Sequence, residues 1–136
     1  MNYARLAKAL AAEGKNEKAI EVLDYCMKAL PLEKVPYDPY TADLVEAYFE
    51  AGATEKALGM TKNFTDYYYE QLDYFLKQDP YIIKSAEFEI QTAIQYTSRV
   101  ANACMSHGKT ELSQGINDKL EAYYKKYVKI VQPGAN

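Results

Sequence analysis

A glycine followed closely by polar residues occurs three times in the chain, in the segments AAEGKNEKA (11–19), FEAGATEKA (49–57) and MSHGKTELS (105–113). Each glycine separates two stretches in which apolar residues recur at the spacing of an amphipathic helix, and no alternating stretch competes with them. Glycine readily adopts the left-handed conformation that ends many helices. The pattern therefore predicts an all-α fold of three helical hairpins, because repeated helix-turn-helix units stack to share one core.

The hairpins are predicted over residues of about 2–30, 39–78 and 80–131, and residues 31–38 form an extended, proline-containing connector. The pairs Asp38-Pro39 and Asp79-Pro80 each place an N-cap residue before a first-turn proline. They are predicted to open the third and fifth helices, and the fifth continues to about residue 107 if it is unbroken. We expect about six antiparallel helices in a single domain of residues 1–136.

The first hairpin resembles a tetratricopeptide repeat over its full period of about 34 residues. With Gly14 on the turn glycine of that repeat, the characteristic positions hold Tyr3, Leu6, Ala7, Leu10, Ala19, Cys26 and Pro31. The later hairpins keep fewer of these positions, namely Leu44, Tyr48, Gly52 and Ala57 in the second, and Ala101 and Gly108 in the third, with Ser113 at the alanine position. The resemblance implies a right-handed superhelix whose concave face binds a protein or peptide partner.

The repeat register directs seven side chains toward that concave face. This candidate binding groove consists of Lys8, Glu46, Phe49, Glu50, Arg99, Asn102 and Met105. Glu46 stands where the repeats that clamp the terminal carboxylate of a peptide carry an asparagine. The resemblance therefore disfavours a partner of that class.

The whole chain, including PLEKVPYDPY (31–40) and YYYEQLDYF (67–75), also resembles the soluble C-terminal region of large bacterial membrane proteins. The transmembrane part of those proteins is related to protein O-mannosyltransferases, and their function is unknown. The resemblance implies a soluble domain tethered to the bacterial inner membrane, on the periplasmic rather than the cytoplasmic face. The acidic catalytic residues of that superfamily lie in loops near the membrane spans, so no catalytic role transfers to these residues.

Tyrosine is unusually frequent, with 14 residues in 136. Two groups lie on the predicted later helices and form a candidate aromatic surface: Tyr67, Tyr68, Tyr69 and Tyr74, and Tyr123, Tyr124 and Tyr127. Three consecutive residues of a helix cannot all face one core, because successive side chains are 100° apart. These phenols either bridge core and solvent, or they form a surface for a protein partner or for sugar rings.

Composition excludes several classes of function. A net charge of −3 without a basic cluster argues against nucleic acid and anionic membranes as partners. Only 6 Gly and 1 His leave no phosphate cradle or histidine-rich metal site, so we expect no cofactor and no enzymatic activity. His107 is expected to cap a helix, and Cys26 and Cys104 are expected to be buried thiols. A disulfide between them would require an oxidising compartment and adjacent helices.

The sequence thus predicts a non-catalytic protein-interaction module, with homodimerisation left open. The alternative is a small-ligand or glycan-binding domain that uses a tyrosine-lined groove. No segment approaches the roughly 18 to 20 consecutive apolar residues that a membrane-spanning helix requires.

Overall fold

The computed structural model describes residues 2–29 and 39–134, and every regular element in these ranges is an α-helix. The helices are α1 (Tyr3–Ala12), α2 (Asn16–Ala29), α3 (Pro39–Glu50), α4 (Thr54–Leu76), α5 (Pro80–Ser85), α6 (Glu87–Ser106) and α7 (Thr110–Val131). The all-α prediction is confirmed. The predicted connector 31–38, with Pro31 and Asp38, lies outside the described residues. Among the described helices, none combines the length and the apolar character needed to cross a bilayer.

The three turn glycines share one backbone geometry. Their φ angles are +80° at Gly14, +81° at Gly52 and +80° at Gly108. After each glycine, the next backbone N–H donates to a carbonyl five residues earlier, in the bonds Lys15 to Leu10 (2.9 Å), Ala53 to Tyr48 (2.9 Å) and Lys109 to Cys104 (2.8 Å). This is the Schellman arrangement, which satisfies carbonyls that the helix end would leave without partners. The three predicted turns are confirmed.

The positions after the turns are equivalent as well. Five residues beyond each glycine stand Ala19, Ala57 and Ser113, and all three are fully buried. The backbone N–H of each of them donates to the carbonyl oxygen of the residue that follows the glycine, over 3.0 Å. A small side chain at this position allows the helix to approach its neighbour closely.

Contacts along the chain define two compact units, residues 1–63 and residues 64–136. In the first unit α3 packs against α1 and α2, and α1 packs against α2. Its fully buried side chains include Ala7, Leu23, Cys26 and Val45. The hydroxyl of Tyr40 accepts the backbone N–H of Tyr3 over 2.8 Å, which satisfies a donor in the first turn of α1. A single domain over residues 1–136 stays a prediction.

In the second unit α6 packs against α7, and α5 contacts both. Ile83, Ile90, Val100 and Ile116 are buried in this core. The C-terminal part of α4 joins them through aromatic contacts, since the rings of Tyr68 and Tyr96 are 6.1 Å apart in an edge-on arrangement.

The helix expected over 80–107 is divided at Ala86, so the described residues contain seven helices rather than six. Ala86 has φ −95° and ψ 18°, which ends α5 and begins α6. Neither glycine nor proline stands at the break, and Ala86 is itself buried. Because α5 contacts both α6 and α7, we attribute the break to packing rather than to local propensity. At the start of α5, Asp79 is the N-cap residue before Pro80, but its side chain makes no capping hydrogen bond.

Candidate functional site

The candidate aromatic surface divides into buried and accessible rings. Tyr68 and Tyr127 are buried, with exposed fractions of 7% and 5%, so their assignment to a surface was wrong. Tyr68 is buried because it lies on the core-facing side of α4. Its ring centroid is 5.0 Å from that of Phe64 and 5.0 Å from that of Tyr67. Tyr127 is buried because it lies on the same core-facing side of α7 as Ile116 and Leu120.

Among the accessible rings, Tyr69 and Tyr74 line a groove between α4 and α7, whereas Tyr124 lines a separate pocket beside Lys84 and Glu87. The volume of the groove is about 610 Å³, and its lining residues are Asp66, Tyr69, Glu70, Asp73, Tyr74, Lys77, Gln78 and Lys119. Five of them, from Asp66 to Tyr74, recur at helical spacing along one face of α4, and Lys77 follows directly after the end of that helix. A surface of this kind offers aromatic faces together with hydrogen-bonding groups, the combination that a polar organic ligand requires.

Tyr123 of α7 organises the wall of this groove. Its hydroxyl donates to Oδ1 of Asp73 over 2.9 Å, and its ring lies 5.9 Å from that of Tyr69 at an angle of 33°. Burial and the hydrogen bond to the negative Asp73 both raise the pKa of the Tyr123 phenol well above its usual range. The phenol is the donor in this bond and holds the carboxylate of Asp73 in place.

Tyr69 carries a cation on its ring. The Nζ atom of Lys119 stands 4.1 Å from the ring centroid, within the range of a cation–π interaction. Burial, and then the negative charge of Asp66, raise the pKa of the Tyr69 phenol. The groove thus combines an aromatic face, three carboxylates and two lysines.

The candidate binding groove of the repeat register is distributed over both units. In the first unit Lys8 and Glu46 form an ion pair with an N···O distance of 3.3 Å, and Glu50 is exposed. In the second unit Arg99, Asn102 and Met105 are exposed on α6 at intervals of three residues. These six side chains are accessible at least in part.

Phe49 corrects that set, because it is buried with an exposed fraction of 7%. Its helix α3 is buried around most of its circumference, at Thr41, Ala42, Leu44, Val45, Ala47, Tyr48 and Phe49. An amphipathic pattern predicts that one face of a helix is exposed to solvent, whereas α3 is buried on several faces.

His107 and the two cysteines take the places expected for them. His107 is the C-cap residue of α6, and its backbone N–H donates to the carbonyl of Cys104 over 3.2 Å. Cys26 and Cys104 are buried thiols, one in each unit. Burial raises the pKa of the Cys26 thiol, which disfavours the reactive thiolate.

Sequence reasoning missed one exposed apolar surface. Tyr81, Ile82 and Phe88 have exposed fractions of 80%, 44% and 77%, and they lie within eight residues of α5 and the start of α6. The missed signal is that these three residues lie off the helical stripe that contains the buried Ile83 and Ile90. Large apolar side chains on the outer face of an otherwise amphipathic helix indicate a surface available to a partner.

Comparison with protein-family models, with curated proteins and with solved structures found no match.

Proposed function

We propose that this chain is a non-catalytic protein-interaction module built from helical hairpins of the tetratricopeptide kind. In this proposal the hairpins form a right-handed superhelix, and the module is the tail of a membrane-anchored, glycosyltransferase-like bacterial protein, held on the periplasmic face of the inner membrane. The three equivalent glycine turns support the repeat part of the proposal. The membrane tether is supported by the sequence resemblance to the soluble C-terminal region of bacterial membrane proteins.

The observation that carries the proposal is the exposed surface of Tyr81, Ile82 and Phe88. Fully burying a large aromatic or aliphatic side chain stabilises an assembly by roughly 1.5 to 3 kcal/mol. Two exposed rings seven residues apart, Tyr81 on α5 and Phe88 near the start of α6, suit the apolar face of a partner helix, or an extended segment with two anchoring side chains. The exposed Arg99, Asn102 and Met105 of α6 would add polar and apolar contacts in the same unit.

The test is site-specific photocrosslinking in the bacterium that makes the protein. A photoreactive phenylalanine replaces Tyr81 or Phe88, and the matched control replaces Tyr25, which is 62% exposed in the first unit. We expect one discrete crosslinked product from positions 81 and 88, and none from position 25. If the product formed from position 81 is lost when Phe88 is changed to Ser, and the product from position 88 is lost when Tyr81 is changed to Ser, both rings contact the same partner.

Two further measurements define that partner. Sedimentation equilibrium of the purified chain, compared with its Tyr81→Ser/Phe88→Ser variant, reveals whether the partner is a second copy. Separation of membranes from soluble protein tests the tether, which predicts that the natural protein sediments with membranes. Equal crosslinking at all three positions, or at none, would contradict the interaction surface.

A small-ligand or glycan-binding role is the second candidate, and the groove between α4 and α7 favours it. Tyr69 and Tyr74 offer ring surface beside the carboxylates of Asp66, Glu70 and Asp73. Aromatic faces beside charged hydrogen-bonding groups suit a sugar ring, because its C–H faces stack while its hydroxyls are bound. Titration with neutral oligosaccharides, followed through backbone amide chemical shifts, tests this role. Saturable shifts confined to α4 and α7 would support it.

A further inference from the structure

We propose that the groove between α4 and α7 binds an organic ammonium ligand, with a protonated amine seated on the ring of Tyr69. This inference rests on the second candidate function and names its ligand class. Amino sugars and linear polyamines both carry this chemistry.

The position of the amine is marked by the chain itself. Lys119, an exposed residue of α7, places its ammonium 4.1 Å from the centroid of Tyr69. An ammonium over a tyrosine ring is attracted by the negative face of the π system. The same face attracts an external ammonium of the same size and charge, provided that Lys119 yields the position.

The surrounding charge favours a cation with more than one amine. Asp66, Glu70 and Asp73 line the groove along α4, and they outnumber Lys77 and Lys119. These carboxylates are spread over seven residues, about 10 Å along the helix axis. Tyr123 binds one oxygen of Asp73 and so fixes that carboxylate. A ligand with several amines along its length matches this row of negative charges.

Displacement of Lys119 is the step that sets affinity. The side chain is on the surface, so it can swing into solvent at the cost of one cation–π contact. The ligand therefore competes with an internal ammonium, and removing that ammonium should strengthen binding. A merely solvated groove would show no such gain.

The experiment titrates the full chain with three probes at low ionic strength. They are a deacetylated glucosamine tetramer, its N-acetylated counterpart and spermidine, each followed by calorimetry and by amide chemical shifts. The variants are Lys119→Met, Glu70→Gln and Tyr69→Leu. Lys125→Met is the matched control, because Lys125 lies on the same helix and pairs with Glu121 at 3.0 Å, away from the groove lining.

We expect saturable binding of at least one amine probe. Lys119→Met should tighten it by roughly three- to tenfold, and Tyr69→Leu and Glu70→Gln should weaken it by a similar factor. Lys125→Met should leave it unchanged. Lys119→Met and Glu70→Gln alter exposed side chains, so the test stands even if Tyr69→Leu fails to fold. The relative affinity for the tetramer and for spermidine assigns the natural source.

Other results overturn the inference. If the N-acetylated tetramer binds in the groove as tightly as the deacetylated one, no ammonium is recognised, while glycan binding itself stands. If no probe shifts the groove amides, both the inference and the second candidate function fail. If Lys119→Met weakens amine binding, Lys119 is part of the site rather than its competitor. None of these outcomes affects the interaction surface of Tyr81, Ile82 and Phe88.

Discussion

The hydroxyl of Tyr48 on α3 donates to Oδ1 of Asp24 on α2 over 2.9 Å. The other oxygen of Asp24 accepts from Nζ of Lys56 on α4 over 2.7 Å. One carboxylate therefore connects three helices of the first unit. Burial opposes ionisation of Asp24, but the hydrogen bonds from Lys56 and Tyr48 outweigh it and lower the pKa of the carboxyl. Burial and the Asp24 charge raise the pKa of the Tyr48 phenol.

Replacing Asp24 with Asn should lower the free energy of unfolding at pH 7. We expect a loss of about 1 kcal/mol, because the carboxylate is partly exposed and solvent screens its charge. A lowered folded-state pKa gives stability that is present above the unfolded value and is lost as pH falls through the folded value. The difference between the two proteins should therefore shrink below about pH 4. Urea unfolding at pH 7 and pH 3 measures it.

The control for that comparison is Glu13→Gln, which breaks an exposed ion pair with Lys15. Its effect should be near zero at both pH values, because exposed pairs contribute little. An Asp24→Asn deficit that persists unchanged at pH 3 would show that the carboxylate charge is not its source.

Replacing Ser113 with Ala should stabilise the protein. Ser113 is fully buried, and among the described residues its Oγ atom has no hydrogen-bond partner. The equivalent residues after the other two turns, Ala19 and Ala57, are alanines. Removing an unsatisfied buried hydroxyl should gain about 1 kcal/mol in the free energy of unfolding. Thermal and urea unfolding measure the gain, and Ser106→Ala, at an exposed site, is the control. A destabilised Ser113→Ala would mean that the hydroxyl is satisfied.

Two glycine substitutions of opposite sign test the turn geometry. Gly108→Ala places a Cβ atom on a residue with φ +80°, so we expect a loss of about 1 kcal/mol in the free energy of unfolding. Gly115→Ala lies inside α7, where an added Cβ meets nothing within 4 Å. Higher helix propensity should make that variant more stable by about 0.5 to 1 kcal/mol. Equal effects in urea unfolding would refute a strained turn.

Alkaline titration should show late ionisation of Tyr48 and Tyr123. Both phenols donate to a carboxylate, and burial together with that negative charge raises the pKa of each. A raised folded-state pKa gives stability that is complete below the unfolded value near pH 10 and is lost as pH rises above it. Chemical shifts of ¹³C-labelled tyrosine rings should show both phenols ionising well above the usual tyrosine pKa near 10. Tyr123→Phe should remove one late-titrating signal, and a normal titration of both residues would contradict the bonds.

How much of the candidate site followed from the sequence differs between its residues. The helical phase of α4 showed that Tyr67, Tyr68 and Tyr69 cannot all face the core, and the structure buries Tyr68 while Tyr67 and Tyr69 stay partly accessible. The sequence could not show that Lys119, fifty residues after Tyr69, places its ammonium on the Tyr69 ring. Such a contact depends on the alignment of two helices, which no local pattern encodes.

The sequence by itself determined the helices and their three equivalent turns, because a glycine at positive φ and the hydrogen bonds around it are properties of a few neighbouring residues. The tertiary structure alone decided where a helix breaks and which side chains are covered. Ala86 interrupts a continuous apolar series, Phe49 and Tyr127 are buried, and Tyr81 and Phe88 remain exposed. These outcomes depend on which helices pack together, and an amphipathic pattern specifies that a face is buried without specifying by what.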